Sequence, residues 1–285
     1  MKKLLLQLDP DPIPAAFDTV VGYDGGADHV VTYGNIDPDN VHWITDGAIF
    51  TRAPKEKRYT AIFVGGSSME KGETLFKAVK KKFFADFRVS VMLDSNGSNT
   101  TAAAGVAVMA KHRNLAGKQA VVLAGTGPVG MRAAVMLARE GASVSLTSRK
   151  MERAQASCDQ IRQRFGLTVT PIQAFGNEDR AQALQGAHVC FASGAAAVQL
   201  LEKQHWQDNP TLELIADANA TPPLGVDGVE MFDKAKDRAG KIAWGAIGFG
   251  ALKLAVHRAC IGKLFEANDL VFDAEEIYAV AKEMA

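Results

Sequence analysis

The segment whose residue types and spacing bear most directly on chemistry is Gly125-Thr126-Gly127-Pro128-Val129-Gly130. Glycine-rich turns are common, so the spacing alone is weak. This one directly follows the apolar run Ala120-Val121-Val122-Leu123 and opens a helical pattern carrying Met131, Val135 and Leu137. Strand, glycine turn and helix in that order form the setting in which a dinucleotide's pyrophosphate is held. Gly125 permits the tight turn, Gly127 leaves room where the pyrophosphate must approach, and Gly130 lets the helix pack close to the strand. Thr126, Pro128 and Val129 complete the loop, and backbone N–H groups at the helix start face the phosphates. The bland alternative is a structural turn. The flanking pattern puts dinucleotide binding ahead of it.

The next strand decides which dinucleotide to expect. It runs Ser143-Val144-Ser145-Leu146-Thr147-Ser148 and is followed by Arg149-Lys150, with no acid in that stretch. An Asp or Glu at this strand end would accept from the ribose hydroxyls of NAD. Ser148, Arg149 and Lys150 instead supply a hydroxyl and two cations, which suit a 2′-phosphate. NADP is therefore the expected cofactor, the alternative being an exposed basic turn. Ser193 and Asn219 each follow a later strand, at 188–192 and 212–216, and are expected to border the nicotinamide half.

The rest of the chain must position these groups. Lys plus Arg and Asp plus Glu are both 32, so no basic excess points to nucleic acid or an anionic membrane. Cys158, Cys190 and Cys260 are far apart, no CxxC occurs, and the six histidines form no HxxxH, so neither a disulfide framework nor a metal site is expected. Met1-Lys2-Lys3 and Leu4 to Leu6 resemble the start of a signal peptide, but Gln7 and Asp9 end the apolar stretch too early. No apolar run approaches a bilayer span. The expectation is a soluble, cytoplasmic chain.

Short β-branched or leucine-rich runs alternate with amphipathic ones. Strands are expected at 3–8, 29–33, 60–65 and 88–93, with helices at 14–24 (opened by Pro14), 69–84 and 99–112. After the polar break at Asn114 to Lys118, strands recur at 119–124, 143–148, 168–172, 188–192 and 212–216. Helices at 248–266 and 274–284 close the chain. Such alternation implies α/β architecture with parallel sheets covered by helices. Two α/β domains are expected: an N-terminal substrate domain at 1–113 and a Rossmann-type domain at 114–250. The C-terminal helices at 251–285 are expected to pack back on the first. The dense run Lys77, Lys80, Lys81 and Lys82 reads as a solvated helix face, opposite Leu75, Phe76, Val79 and Phe83.

Four segments carry a resemblance over essentially the whole chain. They are VVGYDGGADH at 20–29, LDSNGSNTTAAAGVA at 93–107, VVLAGTGPVGMR at 121–132 and GALKLAVHRACI at 250–261. Together they resemble the NADP-dependent methylene-tetrahydromethanopterin dehydrogenases of methylotrophic bacteria, relatives of the methylene-tetrahydrofolate dehydrogenases. The resemblance implies a homotrimer whose active sites lie in interdomain clefts, each completed by a neighbouring subunit. It implies hydride transfer in one-carbon metabolism, from the methylene carbon of a reduced pterin to NADP, with tetrahydromethanopterin and also tetrahydrofolate as carriers. Its proposed active-site residues fall on Phe17, Thr101, Lys253 and His257, where the local motifs match. The chain departs from the pattern at His112-Arg113-Asn114-Leu115 and at Ser148, which bears on fine cofactor preference.

Each of these residues has an ordinary alternative. Phe17 shares helical spacing with Val20, Val21 and Asp24 and so reads equally as core. Thr101 near a helix start would satisfy local backbone. Lys253 and His257, at i and i+4, share a helix face beside the stripe Leu252, Val256, Ala259 and Leu264, and would edge solvent. On the functional reading Phe17 packs against the flat pterin, Thr101 holds its edge, and Lys253 either grips a pterin carbonyl or is partly neutral. No O–H or N–H proton must be removed in this oxidation, so no catalytic triad is required. Two further readings stand beside it: a methylene-tetrahydrofolate dehydrogenase with cyclohydrolase activity, and a non-catalytic NADP-sensing module.

Overall fold

The computed structural model describes residues 1–285, which divide into two compact units. The first comprises Met1–Thr100 and Leu254–Met284, and the second Thr101–Lys253 with Ala285. Both crossings fall inside helices rather than in linkers, so the first division precedes the polar break at Asn114 to Lys118.

The first unit runs β1 (Leu4–Leu8), α1 (Ala16–Asp24), β2 (His29–Tyr33), α2 (Val41–Phe50), β3 (Thr60–Val64), α3 (Met69–Lys81), β4 (Ser90–Leu93) and the start of α4 (Ser98–His112). Helix α1 starts at Ala16, not at Pro14. Asp9 sets that start: its Oδ2 accepts the Ala15 N–H at 3.1 Å while Gln7 Nε2 donates to the Ala15 carbonyl, which holds 9–15 off the helical path. β3 is buried along its whole length, as a parallel strand covered on both faces must be. Helix α3 is capped by Ser68 and buries Met69, Leu75, Phe76 and Val79, leaving Lys77, Lys80 and Lys81 exposed. Those apolar side chains join Leu6, Leu8, Ile62, Val64 and Leu93 in the core. At about 1.5–3 kcal/mol per buried side chain this outweighs the half-exposed Lys82–Asp46 pair, worth about 0–1 kcal/mol.

The second unit continues with β5 (Gln119–Leu123), α5 (Pro128–Arg139), β6 (Ser143–Ser148), α6 (Met151–Phe165), β7 (Thr170–Gln173), α7 (Asn177–Ala183), β8 (Val189–Ala192), β9 (Leu214–Asp217), β10 (Lys236–Arg238), β11 (Lys241–Gly245) and α8 (Ala246–Lys263). Its seven-stranded sheet has the order β7-β6-β5-β8-β9-β11-β10. All pairs are parallel except β10–β11. That antiparallel ribbon had no signature in the sequence. Lys236-Asp237-Arg238 is charged throughout, and tertiary bonds hold it: Asp233 takes Arg238 bidentately at 2.7 and 2.8 Å. Val121, Leu123, Cys190, Ile215 and the buried Trp206 build this core.

After α8, which ends in the first unit, β12 (Val271–Phe272) pairs in parallel with β4, and α9 (Ala274–Met284) ends the chain. Ser90 anchors this return, donating to Ala267 O and accepting from Leu270 N. The first sheet thus has the order β2-β1-β3-β4-β12, all parallel. In each sheet the strand order reverses beside one strand, β1 in the first and β5 in the second. Ligands of open α/β sheets bind beyond the carboxyl ends of strands at such points. No helix is long and apolar enough to cross a membrane.

Candidate active site

In the second unit the glycine loop joins β5 to α5. Gly127 caps the helix, Pro128 occupies its first position, and the Met131 N–H closes on the Gly127 carbonyl at 2.9 Å. A β-carbon at Gly130 would lie 2.6 Å from Gly125 Cα and would also strike Ser193 Oγ, whereas one at Gly127 meets nothing within 4 Å. Gly130 is therefore demanded by packing, and Gly127 faces open space, as phosphate approach requires. Thr126, Pro128 and Val129 are half-buried around it. This donor-lined, unobstructed loop fits a dinucleotide.

Beside the loop lies a cavity of about 420 Å³. Thr126, Ser148, Arg149, Arg153, Phe175 and Arg180 contribute to its wall, and no Asp or Glu does. Lys150 is absent from that wall: it is the exposed N-cap of α6, its N–H donating to Ser148 Oγ at 3.4 Å. Ser193 spends its hydroxyl proton on Leu123 O at 3.2 Å. Asn219 is buried and braces its own loop, donating to Pro223 O and accepting from Thr221 N. Arg153, Phe175 and Arg180 are the residues sequence reasoning missed here. Arg180 lies on α7, one strand beyond the basic pair, and nothing local marks it.

In the first unit, the buried His257 imidazole sits between two aromatic rings, Phe63 at 5.3 Å and Phe17 at 6.3 Å between centroids. Its Nδ1 is 3.9 Å from Oδ2 of the fully buried Asp94, at ion-pair rather than hydrogen-bond range. Asp94 follows β4 and is fixed by the start of α4: it accepts from Asn99 N (2.8 Å), Thr100 N (3.0 Å) and Thr100 Oγ1 (2.6 Å). Phe17 is 49% exposed, which removes the core reading. The solvent-edge reading of His257 fails too, because Val256, Cys260 and Ile261 are buried with it.

Two more buried carboxylates stand at Gly65, just after β3. A β-carbon there would lie 2.9 Å from Asp18 Oδ2 and 3.8 Å from Asp9 Oδ2. Burial holds the Asp9 carboxyl above its usual range, opposed in part by the Asp11 and Ala15 N–H groups. The loop after β4 is stitched to this corner by Ser95 Oγ donating to Gly65 O and Asn96 N donating to Gly66 O. Lys253 and His257 are successive turns of α8, the lysine half-buried, and half-buried Thr101 follows Thr100 on α4.

Comparison with known proteins gives this arrangement a family. The family model "Methylene-tetrahydromethanopterin dehydrogenase, N-terminal" matches residues 16–96. The chain is 57% identical over 286 residues to the "bifunctional protein MdtA" of Methylorubrum extorquens, covering 100% of this chain and 99% of that protein. It is 30% identical over 294 residues to the "NAD(P)-dependent methylenetetrahydromethanopterin dehydrogenase" of the same organism, again over 100% of this chain and 99% of that one. Among solved structures, quinate dehydrogenase from Corynebacterium glutamicum in complex with NAD superposes with a TM-score of 0.53 at 15% identity, over 98% of both chains. A shikimate 5-dehydrogenase from Mycobacterium fortuitum gives 0.53 at 16%, also over 98% of both. These two share the Rossmann-type fold alone. By its full-length match to the Methylorubrum enzyme, the chain belongs to the methylene-tetrahydromethanopterin dehydrogenase family.

Proposed function

We propose that the protein oxidises the methylene bridge of 5,10-methylene-tetrahydromethanopterin to the methenyl form with NADP, and that it also accepts the tetrahydrofolate analogue. The observation that carries this reading is the full-length relation to an NAD(P)-dependent methylenetetrahydromethanopterin dehydrogenase. Residues 114–250 serve as the nucleotide domain, 1–113 as the pterin domain, and 251–285 as helices returning to the latter. Homotrimeric assembly, a cytoplasmic setting and a role in methylotrophic one-carbon metabolism belong to the same reading, by family resemblance.

Bound NADP supplies a two-electron acceptor at nicotinamide C4. The methylene carbon loses a hydride and becomes a cation delocalised over its two nitrogens, and no proton has to move. Protein groups are then needed for orientation and for the field at that carbon. Gly125 to Gly130 hold the pyrophosphate, and Ser148, Arg149 and Lys150 address the 2′-phosphate. Ser193 and Asn219 shape the loops toward the nicotinamide. Phe17 stacks on the pterin with His257 backing its ring from within, Thr101 holds the pterin edge, and Lys253 grips a pterin carbonyl. The buried Asp94 carboxylate, held by three donors, gives this end of the first unit a negative field, which favours the cationic product.

An absorbance assay of methenyl formation with both carriers and both nicotinamide cofactors tests the proposal. NADP-dependent turnover on methylene-tetrahydromethanopterin is expected. Faster turnover on the folate carrier, with hydrolysis of the methenyl product, would shift the reading to a folate dehydrogenase/cyclohydrolase. Nucleotide binding without reduction would leave a sensing module.

A further inference from the structure

We propose that Arg180, on α7, is a second determinant of NADP specificity, reading the 2′-phosphate together with the segment that follows β6. The proposal rests on the NADP reading above. Three guanidinium groups reach the 420 Å³ cavity from separate places: Arg149 directly after β6, Arg153 in the first turn of α6, and Arg180 on the helix after β7. The chain as a whole is charge-balanced, yet no acid lines this cavity. Arg149 and Arg180 repel one another at this small volume, and a bound anion would relieve them.

Arg180 is the member of the set that is built in. Its two terminal nitrogens donate to Leu200 O at 2.7 Å and Phe175 O at 2.9 Å, so the guanidinium is pinned between the loops that follow β7 and β8. Arg149, by contrast, is exposed. Burial and then the Arg149 guanidinium both lower the Arg180 pKa from its ordinary value, and Asp179 only partly opposes them. Asp179 is already committed to capping α7, where it accepts from Phe175 N at 2.8 Å and Gly176 N at 3.2 Å. Asp179 thus offsets the charge of the pair only in part.

A 2′-phosphate brings about −1.5 to −2 charges and three acceptor oxygens to such a pair, whereas the 2′-hydroxyl of NAD brings none. Because carbonyl bonds already fix Arg180, reading the phosphate costs it little side-chain entropy. It should contribute to discrimination more than its distance from the Arg149-Lys150 pair in sequence suggests.

Titration calorimetry of the full-length protein with NADP and with NAD tests this, using Arg180→Gln, Arg180→Lys and Arg149→Ala. Arg180→Gln loses its bonds to Leu200 O and Phe175 O for both nucleotides but a charged bond to phosphate for NADP alone, so NADP should weaken by about tenfold or more while NAD shifts by no more than about twofold. Arg180→Lys, which keeps the charge, should recover part of the NADP preference. Equal weakening of both nucleotides would make Arg180 a loop brace and overturn the proposal, as would unchanged NADP affinity. If Arg149→Ala lowers the NADP to NAD ratio and Arg180→Gln does not, this inference alone fails. If the parent protein shows no preference for NADP, the cofactor reading falls and this inference with it.

Discussion

Beyond the carboxyl ends of the second unit's strands lie three arginines and a glycine loop of backbone donors, around a cavity without a single acid. Beyond the corresponding strand ends of the first unit lie Asp9 and Asp94, joined by Asp18 from α1, all buried. The sheets are both parallel, and in both the order reverses beside one strand. The backbone plan thus repeats, and the side chains at the two sets of strand ends carry opposite charge. A nucleotide brings phosphates, so its crevice is cationic and open. Oxidation of a methylene bridge makes a cation, and buried carboxylates at the first unit's strand ends would favour such a product.

The sharpest break in this comparison is Gly127→Val. The position is open to 4 Å, so the branched side chain should fold without strain against neighbours and occupy the pyrophosphate's place. Calorimetry should detect no NADP binding while the melting temperature stays at the parent value. NADP affinity within a few-fold of the parent would remove this loop from the cofactor site.

Lys253→Met comes next, and it sharpens the electrostatic side. A cation near the reacting carbon would oppose the product, so if charge alone mattered its removal would speed hydride transfer. If Lys253 orients the pterin, kcat and kcat/KM should instead both fall by about a hundredfold, since a misplacement of about 1 Å costs that much. NADP affinity should not change. Single-turnover rates equal to the parent in a folded protein would sink the assignment.

A smaller effect is expected for Asp94→Asn. The amide still offers an oxygen to Asn99 N and Thr100 N but removes the charge 3.9 Å from His257 Nδ1. Turnover should fall by about tenfold, in the range of lost electrostatic stabilisation at a partly relaxed site. NADP affinity should hold. A variant with parent-like turnover would confine Asp94 to capping α4.

These two crevices also differ in how far they can be read from the sequence. Gly125 to Gly130, Ser148 and Arg149 lie within one consecutive strand–helix–strand unit, β5–α5–β6, so spacing along the chain is nearly spacing in space. The first crevice is assembled from α1, β4, the start of α4 and α8, and no local pattern joins Phe17, Asp94 and His257. The family resemblance implied Phe17, Thr101, Lys253 and His257 without explaining them, and it did not single out Asp94, although its motif at 93–107 contains that residue. The same limit hid Arg180, whose partners Phe175 and Leu200 belong to other loops. Among elements, β12 is only two residues long and exists through its pairing with β4, and β10 is held by the Asp233–Arg238 fork rather than by apolar alternation. Elements held by tertiary bonds carry little local signal.

The smallest test uses the thiols as built-in probes, because one lies in the acidic unit and two in the other. Burial, then the Asp94 carboxylate, pushes the Cys260 thiol up to about 12. Burial, then Asp159, pushes Cys158 up to about 11, with Arg162 opposing. In the unfolded chain such thiols ionise near about 8.5. A folded pKa above the unfolded one means stability that is complete below about pH 8.5 and is lost as pH rises toward the folded value. The slope is about 1.4 kcal/mol per pH unit for each such thiol. The urea midpoint should therefore fall between about pH 9 and 10.5, and less steeply in Cys260→Ala. Asp94→Asn should lower the Cys260 pKa and leave Cys158 where it is, read as thiolate absorbance in single-cysteine variants. Equal movement of both thiols would mean that Asp94 acts by loosening the fold and not by its field, and the charge contrast between the two crevices would lose its local basis.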